Sequence, residues 1–202
     1  MKTLRYLHRR LRTLRGMTVL HIGSIGATAA RLYRDNGAGH AIFVEPMPNR
    51  AETLAADLAA LETASRPRWS HWLQLPRTRF TVLTALIGDQ DGVDVALSSD
   101  PGGAAADQLG NQQVQRRLDP LLRDKGFSGV SMDCVVFADA APTVETLRGA
   151  QATLEMAAFL EMPVAHGTED DDRALWLLER GFDPISLRFD QDDLNRVLYR
   201  RH

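Results

Sequence analysis

The sequence predicts an α/β fold: a doubly wound, mostly parallel, Rossmann-like sheet closed by an antiparallel strand pair. Three observations predict it. Short β-rich apolar runs alternate with segments of helical periodicity from about residue 18 onward. The first run, Thr18 to Ile22, meets Gly23 and Gly26 at once and then a helical segment, the strand–glycine turn–helix order of a nucleotide-binding sheet. The last two runs, Ile185 to Phe189 and Asn195 to Arg200, flank an acidic turn at Asp190 to Asp193 with no helix between them.

The elements follow in order. Residues 1–16 place Leu4, Leu7, Leu11 and Leu14 on one helical stripe, with Lys2, Arg5, Arg9, Arg10, Arg12 and Arg15 on the other faces. This basic amphipathic helix is expected to stand before a single domain spanning 17–202. It is either a solvated helix at the domain edge or a contact for an anionic or protein partner or a membrane surface. Ala27 to Asn36 reads as a helix stopped at Gly37, His40 to Glu45 as the second strand, and Arg50 to Thr63 as the second helix. Ser65 to Pro76, with Trp69, His71 and Trp72, reads as an irregular loop. Phe80 to Ile87 is expected to be one strand that turns at Gly88 to Gly92 into a hairpin with Val93 to Leu97. Ser98 to Gly110 is rich in Ser, Gly, Ala and Asp and reads as a loop, and Asn111 to Gly126 as polar and helical in part. Asp133 to Ala138 is a strand, Thr143 to Met156 a helix, Ala158 to Met162 a strand, and Asp171 to Arg180 a helix ended by Gly181.

Bulk composition bounds the function. With 202 residues, 44% apolar and 25% charged, the chain suits one globular domain. A net charge of −2 argues against electrostatic nucleic-acid binding by the molecule as a whole. A single cysteine, Cys134, excludes an intrachain disulfide and a zinc site built on several cysteines of this chain. No apolar run is long enough to span a bilayer, so no integral membrane segment is expected. The basic start lacks a continuous apolar core and a small-residue cleavage site, so the expected compartment is the cytoplasm. No metal site is expected either: Glu169 to Asp172 reads as a solvated acidic run ahead of a helix, and His8, His40 and His202 show no ligand spacing. Homo-oligomerisation is left open.

The turn His21-Ile22-Gly23-Ser24-Ile25-Gly26-Ala27 carries small residues that let a ligand approach the backbone at a helix N-terminus. Glu45, about 20 residues on at the end of the second strand, stands where an acid accepts the hydroxyls of a ribose. The glycines alone also suit tight strand–helix packing. A G-x-G-x-x-G turn is absent, which counts against a nicotinamide cofactor.

Several segments in sequence resemble the FkbM-like family of S-adenosylmethionine-dependent methyltransferases, which have the class I methyltransferase fold. These are Val19-Leu20-His21-Ile22-Gly23, Phe43-Val44-Glu45-Pro46-Met47-Pro48, Thr84 to Gly92, Glu145 to Ala150, Phe159-Leu160-Glu161, Glu179 to Phe182, and Val197 to Arg200. The resemblance implies S-adenosylmethionine as cofactor and a hydroxyl of a small molecule or sugar as methyl acceptor. By the same resemblance, His21 is counted among the cofactor-binding residues, Gly23, Ser24 and Gly26 line the methionine part and Glu45 holds the ribose. Pro46 and Met47 border the adenine, with Leu86 and Asp89 closing its side.

The chain also departs from the family. His21 stands where members carry an acid, and Gly23 and Gly26 are separated by two residues, one fewer than usual. The family's acidic segment after the fourth strand falls on Ala138, Ala140 and Thr143. Asp139 takes that part if the register shifts by one. Asp139, Glu161 and His166 are therefore the candidate catalytic residues. Loss of acids at the strand end opens a second reading, a non-catalytic binding or assembly protein on the same fold.

Overall fold

A computed structural model describes residues 14–23, 26–64, 74–96, 112–164, 168–185 and 196–202. The basic helix expected over 1–16 lies almost wholly outside the described residues, as do the segments 65–73 and 97–111, Ser24 and His166.

The chain opens with β1 (Thr18–Ile22), α1 (Gly26–Asp35), β2 (His40–Glu45), α2 (Pro48–Thr63) and β3 (Arg79–Thr84). Two short strands follow, β4 (Leu86–Ile87) and β5 (Val93–Ala96), then β6 (Gln112–Arg116) and α3 (Leu118–Asp124). The second half runs β7 (Cys134–Phe137), α4 (Val144–Arg148), α5 (Gln151–Met156), β8 (Phe159–Pro163), α6 (Thr168–Leu178), β9 (Phe182–Ile185) and β10 (Arg196–Arg201). Seven strands form one sheet in the order β3-β2-β1-β7-β8-β10-β9. β1, β2, β3, β7 and β8 pair in parallel, while β10 runs antiparallel to both β8 and β9. This is the doubly wound, mostly parallel sheet closed by an antiparallel strand pair, β9 and β10, that the sequence predicts.

The central strands are buried on both faces, so they read as continuous apolar runs. Their alternation divides the interior in two. Leu20 and Ile22 of β1 join Ile42, Val44, Val135 and Phe137 in one core, covered by Leu118, Leu121 and Leu122 of α3, Leu154 of α5 and Leu177 of α6. Val19 of β1 joins Ala41, Phe43, Cys134 and Val136 in the other, covered by Ala29, Ala30 and Tyr33 of α1 and Leu54, Leu58 and Leu61 of α2. Spacings of three and four put the α2 leucines on one stripe. α1 ends where Gly37, at φ +78, lets Ala38 N–H reach the Tyr33 carbonyl at 3.0 Å and Gly37 N–H reach that of Arg34 at 3.1 Å. Glycine takes this left-handed helix-stop conformation without steric cost.

Five expectations are corrected. The strand expected over Phe80 to Ile87 breaks at Ala85, because β2 ends at Glu45 and the last ladder pair is Glu45 with Thr84. Leu86 and Ile87 leave the main sheet and pair in parallel with Gln115 and Arg116. The expected hairpin does not form: β6 lies between β4 and β5 in a three-stranded sheet. Gln112 to Arg116 is thus a strand, and the helix begins only at Leu118. The helix expected over Thr143 to Met156 is two helices. Asp119 of α3 separates them, its N–H bonding the Gly149 carbonyl at 3.0 Å while its carboxylate accepts from Ala152 N–H at 2.8 Å and Thr153 N–H at 3.0 Å. A carboxylate from another helix thereby caps α5. β9 starts at Phe182 rather than Ile185, and residues 186–195 lie outside the described residues.

One ion pair ties the closing strand to the centre. Glu161 of β8 is 1% exposed and accepts from Arg196 Nε at 3.0 Å. The same guanidinium donates to the carbonyls of Ala138 at 2.9 Å and Phe137 at 2.6 Å. Removing one partner of a buried pair strands the other charge in low dielectric. Arg196→Met is expected to lower unfolding stability by about 3–5 kcal/mol in urea titration, and Glu161→Gln by less, because its amide still offers an acceptor to Arg196.

Candidate active site

The chain leaves β1 toward β2 on one side, and β7 flanks it on the other. Strand order reverses here, and the crevice beyond the carboxyl ends of such strands is where open α/β sheets bind ligands. A cavity of about 330 Å³ lies at this place, lined among others by Ile22, Gly23, Pro46, Leu86, Asp89, Gln115, Phe137, Asp139 and Thr143. It draws on the ends of β1, β2 and β7 and on the chain between β3 and β5.

Each wall has a local cause. Gly23 sits at φ +100, and its N–H bonds the Val44 carbonyl at 2.9 Å, holding the turn against β2. A Cβ there would lie 2.6 Å from Asp139 Oδ2, so only glycine lets the turn after β1 and the turn after β7 meet. Glu45 ends β2 at 3% exposure, with Oε1 accepting from Met47 N–H at 3.0 Å. Pro48 then starts α2, its fixed φ suiting the first turn of a helix. Asp89 is held by Gln115, whose amide donates to its carboxylate at 3.0 Å. Thr143 caps α4 by accepting from Thr146 N–H at 3.1 Å.

Of the residues singled out from sequence, the structure brings Gly23, Pro46, Leu86, Asp89 and Asp139 together around this cavity. Met47 is 5% exposed just behind Pro46. Ala140 and Thr143, two positions of the altered segment, also line the cavity. Gln115, Pro142 and Thr146 line it as well, and sequence reasoning missed them. Gln115 arrives on β6, whose glutamine-rich run carries no apolar alternation. Thr146 had a signal, since Thr143 and Thr146 have the spacing of a cap and its third residue.

Glu161 and His21 lie elsewhere. Both border a second cavity of about 250 Å³ together with Tyr33, Val136 and Arg196. His21 shares its side of β1 with Val19, the α1 side, and is 1% exposed, with Nδ1 2.7 Å from the Tyr33 hydroxyl. Its ring stands against those of Tyr33 and Phe43 at centroid distances of 5.9 and 5.3 Å. Burial, reinforced by the Arg196 charge and opposed by Glu161, lowers its pKa from 6.5 to about 4, so the imidazole is neutral at pH 7. Among the described residues no cluster of three or more His, Cys, Asp or Glu side chains could hold a metal ion, and no helix is long and apolar enough to cross a membrane.

No protein-family model matches the chain, and no curated protein matches it in sequence. Solved structures do match in shape. The magnesium protoporphyrin IX methyltransferase of Synechocystis PCC 6803 with bound SAM is 13% identical, with a TM-score of 0.48, over 100% of this chain and 77% of that one. An rRNA methylase from Streptococcus thermophilus is 10% identical, with a TM-score of 0.47, over 99% of this chain and 94% of that one. A TehB-like SAM-dependent methyltransferase from Corynebacterium glutamicum is 12% identical, with a TM-score of 0.42, over 98% of this chain and 86% of that one.

The buried neutral His21 makes stability depend on pH. Its folded pKa lies below its unfolded one, so on acidification the unfolded chain binds the proton first. The contribution is full above pH 6.5 and is lost as pH falls toward about 4, by on the order of 3 kcal/mol. Burial, with the Arg79 charge, also lowers the pKa of His40. Urea titrations of wild type and His21→Phe across pH 4–7 isolate the His21 part: the variant is expected to lose stability less steeply on acidification.

Proposed function

We propose that the chain binds S-adenosylmethionine in the cavity at the carboxyl ends of β1, β2 and β7 and is a methyltransferase acting on a hydroxyl of a small molecule or sugar. The observation that carries this reading is the cavity itself. At the strand-order reversal, a positive-φ glycine turn, the carboxylates of Asp89 and Asp139 and an apolar wall of Ile22, Val44, Leu86 and Phe137 converge. The residues present fit the group. Gly23 brings a turn without a side chain to the cavity, and Glu45 is a buried acid at the end of β2 between the lining residues Val44 and Pro46, where ribose hydroxyls need an acceptor.

In this reading Gly23, Ser24 and Gly26 accommodate the methionine end, and Glu45 accepts from the ribose hydroxyls. Pro46 and Met47 border the adenine, and Leu86 and Asp89 close the far wall. When bound, the cofactor supplies an electrophilic methyl group, and that chemistry is its own. What the chain adds is alignment and a place for the acceptor's proton. Asp139 is the carboxylate that lines the cavity beside Gly23, and we assign it the orienting or proton-accepting role. Glu161 is engaged by Arg196 and acts at most through it, as a positioning residue. No role is built on His166.

A specific observation favours a second reading, a binding protein without turnover. The stretch from Ala140 to Thr143 presents Ala, Ala, Pro and Thr to the cavity, with no ionisable side chain among them. Isothermal titration with S-adenosylmethionine and S-adenosylhomocysteine, followed by an acceptor screen over hydroxyl compounds, separates the two. Micromolar binding is expected, weakened at least about tenfold in Glu45→Ala and in Gly23→Ala. Binding with turnover supports the enzyme, and binding without turnover on any acceptor supports the second reading. No binding at millimolar ligand contradicts both.

A further inference from the structure

Gly88 and Gln115 are fitted to one another in the small three-stranded sheet. A Cβ on Gly88 would lie 1.2 Å from Gln115 Nε2, 2.2 Å from its Cδ and 2.6 Å from its Cγ. The φ of Gly88 is not positive, so this close approach, and not the backbone angle, is what requires glycine. Having passed over Gly88, the Gln115 amide donates to Asp89 Oδ1 at 3.0 Å, and both residues line the cavity assigned to the cofactor. The backbone holds them there. Gly88 N–H bonds the Arg116 carbonyl at 3.1 Å, and Gly92 N–H bonds the Gln115 carbonyl at 2.9 Å. The turn that carries Asp89 is thus tied to β6 at both ends.

The chemistry of the pair follows from its hydrogen bond. A carboxylate only accepts, so the amide gives its NH2 to Asp89 and keeps its carbonyl oxygen for another partner. Among the described residues, Asp89 Oδ2 and Gln115 Oε1 bond no other protein group. Both atoms are acceptors. A ligand at this end of the cavity therefore has to bring N–H or O–H donors. The base of the cofactor proposed above has such a group, the exocyclic amine of adenine, with two N–H bonds to donate. An oxo group in its place would set an acceptor against acceptors. A site built to bond an N–H rejects the analogue that lacks it, because its own polar groups are left unpaired.

We propose that Gln115, seated over Gly88, and the Asp89 carboxylate that it positions select a base carrying an exocyclic amine. The assignment rests on the cofactor reading and adds to it the determinant of base choice. Asp89 stands on an exposed turn, where a lone carboxylate is free to rotate in water. One oxygen bonded to Gln115 fixes the plane of the carboxylate before the ligand arrives, and such preorganisation lowers the cost of binding. Gln115 is supplied by β6, the strand inserted between β4 and β5, and Gly88 is what admits it.

The test is isothermal titration of the full chain with S-adenosylhomocysteine and with S-inosylhomocysteine, which carries an oxo group in place of the amine. Wild type is expected to bind the adenine ligand at least about tenfold more tightly. In Gln115→Leu that ratio is expected to fall at least about fivefold, through weaker binding of the adenine ligand. Gly88→Ala keeps both polar side chains but puts a Cβ where Gln115 lies. It is expected to lower the ratio by a similar factor, and it keeps the test open where Gln115→Leu does not fold. Added to Gln115→Ala, it is expected to change the ratio no further, because the side chain it would displace is gone. Equal affinity of wild type for the two ligands overturns the assignment alone, and so does an unchanged ratio in Gln115→Leu or Gly88→Ala. No binding of either ligand to wild type overturns the cofactor reading, and the assignment with it.

Discussion

The parity of β1 and β7 governs the rest of the structure. Their register pairs Leu20 with Val135, His21 with Val136 and Ile22 with Phe137. Side chains on adjacent strands at paired positions point to the same face, so a slip of one residue would exchange the two faces entirely. In the observed register, Ile22 and Phe137 form the wall of the cavity at the strand-order reversal, and His21 and Val136 form the wall of its neighbour behind the sheet. Two chemically different spaces thus share two strands. One meets a glycine turn and carboxylates. The other meets an anchored imidazole and a closed ion pair.

That ion pair gives the closing strand its importance. β10 is antiparallel and reaches the sheet's carboxyl edge with its first residue, Arg196. From there the guanidinium satisfies the terminal carbonyls of β7 and the buried Glu161 at once. Both turns around the candidate active site depend on this. The chain after Phe137 runs on through Ala138 to Asp139, which packs against Gly23. A fixed β7 end therefore fixes how closely Asp139 and Gly23 approach. An acid on β8 that looks catalytic from sequence is in this way tied into holding the scaffold.

Much of the fold was legible because its signal is local. Continuous apolar strands, helical stripes such as Leu54, Leu58 and Leu61, and the stop at Gly37 are each set by neighbours within a few residues. What escaped reading depends on distant partners. The break at Ala85 follows from where β2 ends, and the split between α4 and α5 follows from Asp119, more than thirty residues away. β6 is a strand because it is inserted between β4 and β5. At the site, Gly23, Pro46, Leu86, Asp89 and Asp139 could be found from position in the strand–turn–helix order, whereas Gln115 could not. His21 illustrates a signal present but unused. It shares parity with Val19, not with Ile22, and that alone puts its side chain on the face opposite the one Ile22 lines.

The central claim is that the cofactor lies on the Ile22 and Phe137 side of β1 and β7. A crystal structure of the chain with S-adenosylhomocysteine tests it most directly. The account predicts the adenosine between Pro46 and Leu86, its ribose hydroxyls on Glu45 and its sulfur near Gly23 and Asp139. Ligand density on the His21 side of the sheet, or a cavity left empty at saturating ligand, would contradict it.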